Sequence, residues 1–568
     1  MFNHSIAILM KKTYLLLQIL LVLNIAVASA QTPFRTIDSV DINMINAAVL
    51  VHGDMFWDPS TQVAACVFPK GGHTKINFAS ALWMSGFDAG GAMHVAAQTY
   101  RQDGNDYWPG PLNAADTLTY STSHDWAKIW KVNRIDIQYF QSLTAPDLTN
   151  TPPAILTWPA KGNTHAQGNG GAALTISGDM APFVDINHDG IYEPLLGEYP
   201  DIKGDQALWW VFSDNGPTHT LSNGKPLGVE VHAMAYAYKR NTLIDNVVYF
   251  DFQIVNKSPN NYHNFRLGLW DDIDLGYYLD DYIGYDSAHR MGITYNATAV
   301  DGDSSSNPSI FFGAHPPIVG MTMISLPGDF GSSYVPAGSF IYFNGDNTVI
   351  GNPSSDTQYN NYLRAQDRTG AHYTNTFAGP AVSCLSYGMG PNTNYVFTGD
   401  PSDANAWSEC VCNNAPGDRR FVISTNDFTL SAGSSEHVVM AMVVTDTNQH
   451  GCPGANFNDI KIVADTAWNV YHNPPPPLPP SGINDINKGG DVRIYPNPAQ
   501  SLLYVESDDL GIQQASITVF DLLGQTVEVP FTKSNNKISA DVSALPRGMY
   551  VLSYRSGEVQ VRSRFTLE

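Results

Sequence analysis

Val248-Tyr249-Phe250-Asp251-Phe252-Gln253-Ile254 is the stretch that decides the fold. Val248, Phe250, Phe252 and Ile254 alternate with Tyr249, Asp251 and Gln253, so one face is wholly apolar. A side-chain period of two belongs to a strand with one face on a core. Upstream, Met234, Tyr236 and Tyr238 alternate with alanines in the same way. Val438 to Val444 is apolar on both faces, the pattern of a central strand covered on both sides. Phe428-Thr429-Leu430 reads as a strand entering the turn Ser431-Ala432-Gly433. Such runs, separated by long polar loops, predict β-sandwiches. Two packing helices are expected. One carries Trp126, Ile129, Trp130 and Asn133 at helical spacing; the other covers 459–471, with Ile460, Val463, Ala467 and Val470 on one stripe.

The chain has 568 residues, more than one ordinary core accommodates. Apolar residues make up 43% and charged residues 15%, a globular composition. The fold class expected is mainly β: a multi-domain sandwich with few short helices. The domains expected are 31–225, β-rich, and 226–472, a β-sandwich with long loops. The net charge of −23 repels nucleic acid and anionic lipid and suits divalent cations. Of the five cysteines, Cys384, Cys410, Cys412 and Cys452 fall in one region, where up to two disulfides fit, leaving Cys66 free. Cys410 and Cys412 are too close to bridge each other, so each is expected to pair outward or stay reduced.

Both ends carry an address. Lys11 and Lys12 precede an apolar run from Tyr14 to Ile25, then Ala26-Val27-Ala28-Ser29-Ala30. This is the layout of a secretory signal peptide over 1–30, read by the Sec translocon and cut after Ala30. The run is too short to span a membrane, and no other long apolar run follows, so no transmembrane segment is expected in the mature chain. Near the other end, Pro474 to Pro477, Pro479 and Pro480 mark a stiff, extended linker over 473–490. Beyond it, in 491–568, short alternating strands read clearly at 503–505, 517–520, 538–542, 549–554 and 559–565. Gly524, Asn535-Asn536 and Gly557 punctuate them.

This last region resembles the type A C-terminal sorting domain of the type IX secretion system. The resembling residues are Tyr495-Pro496-Asn497-Pro498, Phe520-Asp521-Leu522-Leu523-Gly524-Gln525 and Leu545-Pro546-Arg547-Gly548-Met549-Tyr550-Val551. The resemblance implies an immunoglobulin-like β-sandwich read by the outer-membrane translocon, with removal by a sortase-like peptidase near the linker. It implies a Bacteroidota source and a place outside the cell, at the outer surface or released. One departure is the end, Arg564-Phe565-Thr566-Leu567-Glu568, where family members often finish with a basic residue. The body also resembles other exported Bacteroidota proteins with this tail, through Leu82-Trp83-Met84-Ser85-Gly86-Phe87-Asp88, Trp270-Asp271-Asp272-Ile273-Asp274-Leu275-Gly276 and Gly417-Asp418-Arg419-Arg420-Phe421. That likeness transfers no activity.

Two motifs could carry chemistry. Asp185-Ile186-Asn187-His188-Asp189-Gly190-Ile191-Tyr192-Glu193 places oxygen side chains at alternate positions before a glycine, the first half of a calcium loop. Ile191 would give its carbonyl and Glu193 a side chain or a water. The twelfth position is Leu196, so Glu198, Asp201 or Asp205 would have to close the shell. The plain alternative is an Asx-rich turn. The second motif is Asp271, Asp272, Asp274, Asp280, Asp281 and Asp286, carboxylates that repel unless a cation or an arginine lies among them. Structural Ca²⁺ is the reading taken for Asp271, Asp272, Asp274, Asp280 and Asp281. Pairing with Arg266 or Arg290 is the plain alternative, and a glycosidic carboxylate pair beside Trp270 and Tyr277 the catalytic one. G-x-S-x-G, H-E-x-x-H and P-loop signatures are absent from the sequence. Trp108, Trp209 and Trp210 read as core rather than sugar platforms. The expectation is a secreted, calcium-stabilised β protein with a structural or adhesive role. The rivals are an exported hydrolase of polysaccharide or protein, and a glycan- or peptide-binding module with a surface glycan as partner.

Overall fold

The computed structural model describes residues 34–100, 104–302, 310–329, 334–380, 382–447, 451–478, 492–496, 499–507, 516–521, 526–534, 537–556 and 559–567. The expected leader, 1–30, and most of the linker lie outside the described residues. The chain divides into two compact units, 1–477 and 478–568, so the division falls inside the proline-rich stretch.

The larger unit is built on a nine-stranded antiparallel sheet. Its order is Trp130–Asn133, Gln206–Ser213, Val229–Ala237, Val247–Asn256, Ser435–Val444, Val319–Ser325, Met291–Asn296 and Asp281–Asp286, with Trp108–Pro109 also on Gln206–Ser213. A six-stranded sheet faces it: Ser339–Asn344, Arg419–Ser424, Tyr262–Asp272, Ala79–Phe87 and Met93–Ala96, with Phe428–Leu430 also on Tyr262–Asp272. Val248, Phe250, Phe252 and Ile254 are all buried and share one core cluster with Leu82, Leu267, Leu269 and Phe340 of the facing sheet. Tyr285 of the first sheet stacks on Phe340 of the second, ring centroids 4.9 Å apart. This is sheet-on-sheet packing, and the expected alternation holds residue by residue.

The other face of the large sheet is covered too. Trp209, Tyr236, Tyr249, Ile293, Tyr295 and Val443 pack with Ile460, Val463, Ala464 and Ala467 of the helix Asn458–His472. Tyr249 donates its hydroxyl to the Ala467 carbonyl at 2.8 Å. Covering on both faces explains why Val229–Ala237 is buried at all nine positions and why Val438 to Val444 is apolar throughout. The helix expected over 459–471 is therefore present, and its stripe faces the sheet. Trp209 and Trp210 are core, as expected.

Two expectations fail. The helix through Trp126, Ile129, Trp130 and Asn133 does not form. A short helix, Tyr120–Asp125, begins after the Thr119 cap and stops at Trp126; Trp130–Asn133 is then a strand paired with Gln206–Ser213. Trp130 lies 5.7 Å from Trp209 across this pairing, so the sheet edge claims a segment whose spacing suited a helix. Nor is there a domain boundary between 225 and 226. Gln206–Ser213 pairs with Val229–Ala237 along its full length, and Ala79–Phe87 pairs with Tyr262–Asp272. The intervening segment is a loop, held where the Asp214 carboxylate accepts the N–H groups of Leu227 and Val229. The disulfides are Cys384–Cys412 and Cys410–Cys452, and Cys66 is free and buried.

The smaller unit has two four-stranded sheets. One runs Val492–Tyr495, Leu502–Ser507, Lys537–Asp541, Phe531–Ser534; the other Thr526–Val527, Ser516–Phe520, Gly548–Ser556, Val559–Leu567. Leu503, Val505, Ile538 and Ala540 of the first meet Val519, Leu552, Tyr554 and Phe565 of the second in one core. This is the small β-sandwich expected of the tail.

Candidate functional site

The loop after Phe183–Val184 holds its shape through its own carboxylates. Asp185 accepts the N–H groups of His188 at 2.6 Å and Gly190 at 2.9 Å. Asp189 accepts from Ile191 N–H at 2.8 Å, and Asn187 from Asp189 N–H at 3.0 Å. The Asn187 amide also donates to Asp189 and Glu193, at 3.0 and 3.2 Å, so these three side chains converge. Gly190 has φ +76°, the left-handed turn that a glycine takes without strain. Of the three acids expected to close the shell, Glu198 is buried and accepts the N–H groups of Ile186 and Glu193, which ties the loop together. Asp205 instead pairs with Arg240, and Leu196 points outward in the short 3₁₀ turn Pro194–Leu196.

The second cluster is split by the fold. Adjacent residues of a strand face opposite sides, so Asp271 and Asp272 part company. Asp271 accepts from Asn77 at 2.7 Å and from Ser80, and burial pushes its carboxyl up to about 7. Asp272 accepts from the Tyr100 hydroxyl and pairs with Arg420 at 3.3 Å. Asp272, Asp274 and Asp418 place ligand oxygens within 4.8 Å of one another. Burial and then the Asp418 charge raise Asp274 to about 7. Asp280 and Asp281 adjoin this group with Asp301. Asp281 accepts from Leu275 N–H, Asp280 from Gly302 N–H, and Asp301 from the N–H groups of Tyr277 and Phe312. Burial and the neighbouring Asp280 charge hold the Asp281 carboxyl well above its ordinary value. Asp286 stands at the far end of its strand and pairs with His289 at 2.6 Å.

The arginine among these acids is neither of the two expected. Arg266 pairs with Asp427 and Arg290 with Asp329. Arg420 takes the place, and sequence reasoning missed it together with Asp418, Asp301 and Tyr100. The signal was strand register: Asp272 and Arg420 are direct cross-strand partners. Beside this group opens a cavity of about 370 Å³ lined by Tyr100, Trp270, Phe343, Tyr359, Asn223 and Asn352.

In the smaller unit, Tyr495 closes its strand and donates to Glu506 at 2.9 Å, and Pro496 follows it. Gly548 opens the strand Gly548–Ser556. Buried Tyr550 stacks on Phe565 and donates to the Pro546 carbonyl at 2.8 Å. Asn497, Pro498 and Gly524 lie outside the described residues. Among the described residues, no helix is long and apolar enough to cross a membrane.

Among curated proteins nothing matches the chain. Similar solved structures include the Lin-41 filamin domain, 20% identical over 14% of this chain and 91% of that one, with a TM-score of 0.12. A polysaccharide lyase is 8% identical over 60% of this chain and 34% of the lyase, with a TM-score of 0.19. At such scores neither likeness bears on fold or chemistry here. The family model of the secretion system C-terminal sorting domain matches residues 493–568, the unit whose core and strands were described above. Residues 493–568 are therefore a secretion system C-terminal sorting domain, and the chain that carries them is a type IX secretion cargo.

Proposed function

We propose that the larger unit works outside the cell as a calcium-stabilised β protein with a structural or adhesive role. The sorting domain sends the chain to the cell surface or the extracellular space through the type IX machinery. A Sec leader over 1–30 and a sortase-like cut near the linker complete the route in this reading. The observation that carries the calcium part is the convergence of Asn187, Asp189 and Glu193 in a loop closed by Glu198. Hard oxygen donors from alternate residues of a tight loop suit Ca²⁺. Against a hydrolase, Asp271 and Asp272 are both buried and tied to neighbours rather than set across an open cleft.

Calcium should raise the melting temperature of the protein and chelator should lower it, because an ion that binds only the folded state stabilises it by mass action. The response should shrink in Asp189→Ala; an unchanged response removes the loop from the proposal. A second reading, glycan binding, is favoured by the aromatic and amide lining of the cavity at Tyr100. A glycan array probed with and without Ca²⁺ separates the two: no bound glycan leaves the structural role.

A further inference from the structure

The acids brought together by strand register make a tighter donor set than the loop does. Asp272 ends the strand Tyr262–Asp272, Asp274 follows two residues later, and Asp418 precedes the strand Arg419–Ser424. Their ligand oxygens lie within 4.8 Å of one another. Two oxygens on opposite sides of one Ca²⁺ stand about 4.6–5.2 Å apart, so three oxygens this near one another can share one ion. Three carboxylates meet a single guanidinium, Arg420, which pairs with Asp272 at 3.3 Å and Asp418 at 2.9 Å. With all three ionised, as they would be around a bound ion, the group carries two negative charges beyond what Arg420 compensates, the charge of one divalent cation.

A second observation is independent of this proximity. Asp272, 2% exposed, has one oxygen satisfied by Tyr100 and Arg420 and the other, Oδ1, without a donor. Asp281, fully buried and close enough to feel the charge of Asp274, likewise has Oδ1 without a donor. So has Asn296, its cross-strand partner. Buried acceptors are satisfied in folded proteins, and leaving one bare costs about 1–3 kcal/mol or more for a charged group. Several bare oxygens in one acidic region call for a cation. The ligands are all oxygen; histidine and cysteine are missing from the set, which favours a hard ion over zinc. Asp274 and Asp418 are only half-buried, which leaves the ion a way in and room for water ligands.

We propose that Asp272, Asp274 and Asp418 bind one Ca²⁺, with Asp281 as the adjoining carboxylate, and that this ion fastens the two sheets at one edge. Asp272 ends one strand of the six-stranded sheet and Asp418 immediately precedes another, and the segment from Asp274 leads into Asp281–Asp286 of the nine-stranded sheet. The inference rests on the calcium-stabilised reading of the protein but places the ion away from the 185–193 loop.

Calorimetric titration of the full chain with Ca²⁺ alone, and then with Ca²⁺ in the presence of Mg²⁺, tests it. Asp418→Asn and Asp274→Asn keep shape and remove one charge each; circular dichroism checks that both fold. Each should weaken one Ca²⁺ site by at least about tenfold, the loss that even outer-ligand changes cause. Asp189→Ala should leave that site intact. Unchanged Ca²⁺ binding in both Asn variants overturns this site while leaving the loop standing. Loss confined to the Asn variants supports it and removes the loop. A wild-type chain that binds no Ca²⁺ overturns both, and Mg²⁺ competing at equal concentration overturns the assignment to calcium.

Discussion

At the scale of single residues, the two sheets meet tightly at Gly292. A methyl group there would sit 2.7 Å from a ring carbon of Phe340 and 2.8 Å from one of Phe421. Gly292→Ala should therefore push opposing strands apart at a cost of about 1–3 kcal/mol. A lower urea midpoint with an unchanged m-value is the expected reading; wild-type stability would mean that the rings move aside freely. The same scale shows what the sequence could not disclose. Asp271 and Asp272 read as two members of one acidic run, yet the pleat sends them to different neighbours. Asp418 and Arg420 lie far along the chain, and only register sets them beside Asp272. Charge density was legible; which charges face one another was not, because facing is decided by strand pairing.

At the scale of elements, His289 fastens a helix to a sheet edge. One ring nitrogen meets Asp286 of the strand Asp281–Asp286 at 2.6 Å, and the other meets Asp465 of the helix Asn458–His472 at 3.1 Å. Only the protonated ring donates from both nitrogens. The Asp286 bond raises the histidine above its ordinary value even though burial opposes this. A raised histidine contributes its full stabilisation below the unfolded pKa and loses it as pH climbs through the folded one. The protein should thus melt lower at about pH 8 than at about pH 6. His289→Gln should flatten that slope, and a slope identical to wild type would exclude this contact as its source. The helix itself was readable because its stripe persists over four turns and one face is buried. The segment at 126–133 misled because four residues at helical spacing weigh less than a sheet edge offering hydrogen bonds and a tryptophan neighbour. The alternation at 248–254 was legible for the opposite reason: a period of two in a strand fixed by partners on both sides admits one arrangement.

At the scale of the whole molecule, body and tail have separate cores. Removing 491–568 should leave the melting of the body unchanged and trap the protein in the periplasm. Normal appearance in the medium would remove the tail from the export route. The expected boundary at 225 failed because a long polar loop looks the same whether it joins two domains or two neighbouring strands. The division after residue 477 falls where the sequence has consecutive prolines, which exclude sheet pairing from either side.

The order of strands in the large sheet has a further consequence. Its middle position is filled by Ser435–Val444, which lies between Val247–Asn256 and Val319–Ser325 although it is made long after both. Until the ribosome has passed residue 444, the strands Val247–Asn256 and Val319–Ser325 lack the neighbour that joins them. Long-range pairing of this kind is slow to form. The nine-stranded sheet is therefore completed only by a strand made after nearly all the others of the larger unit.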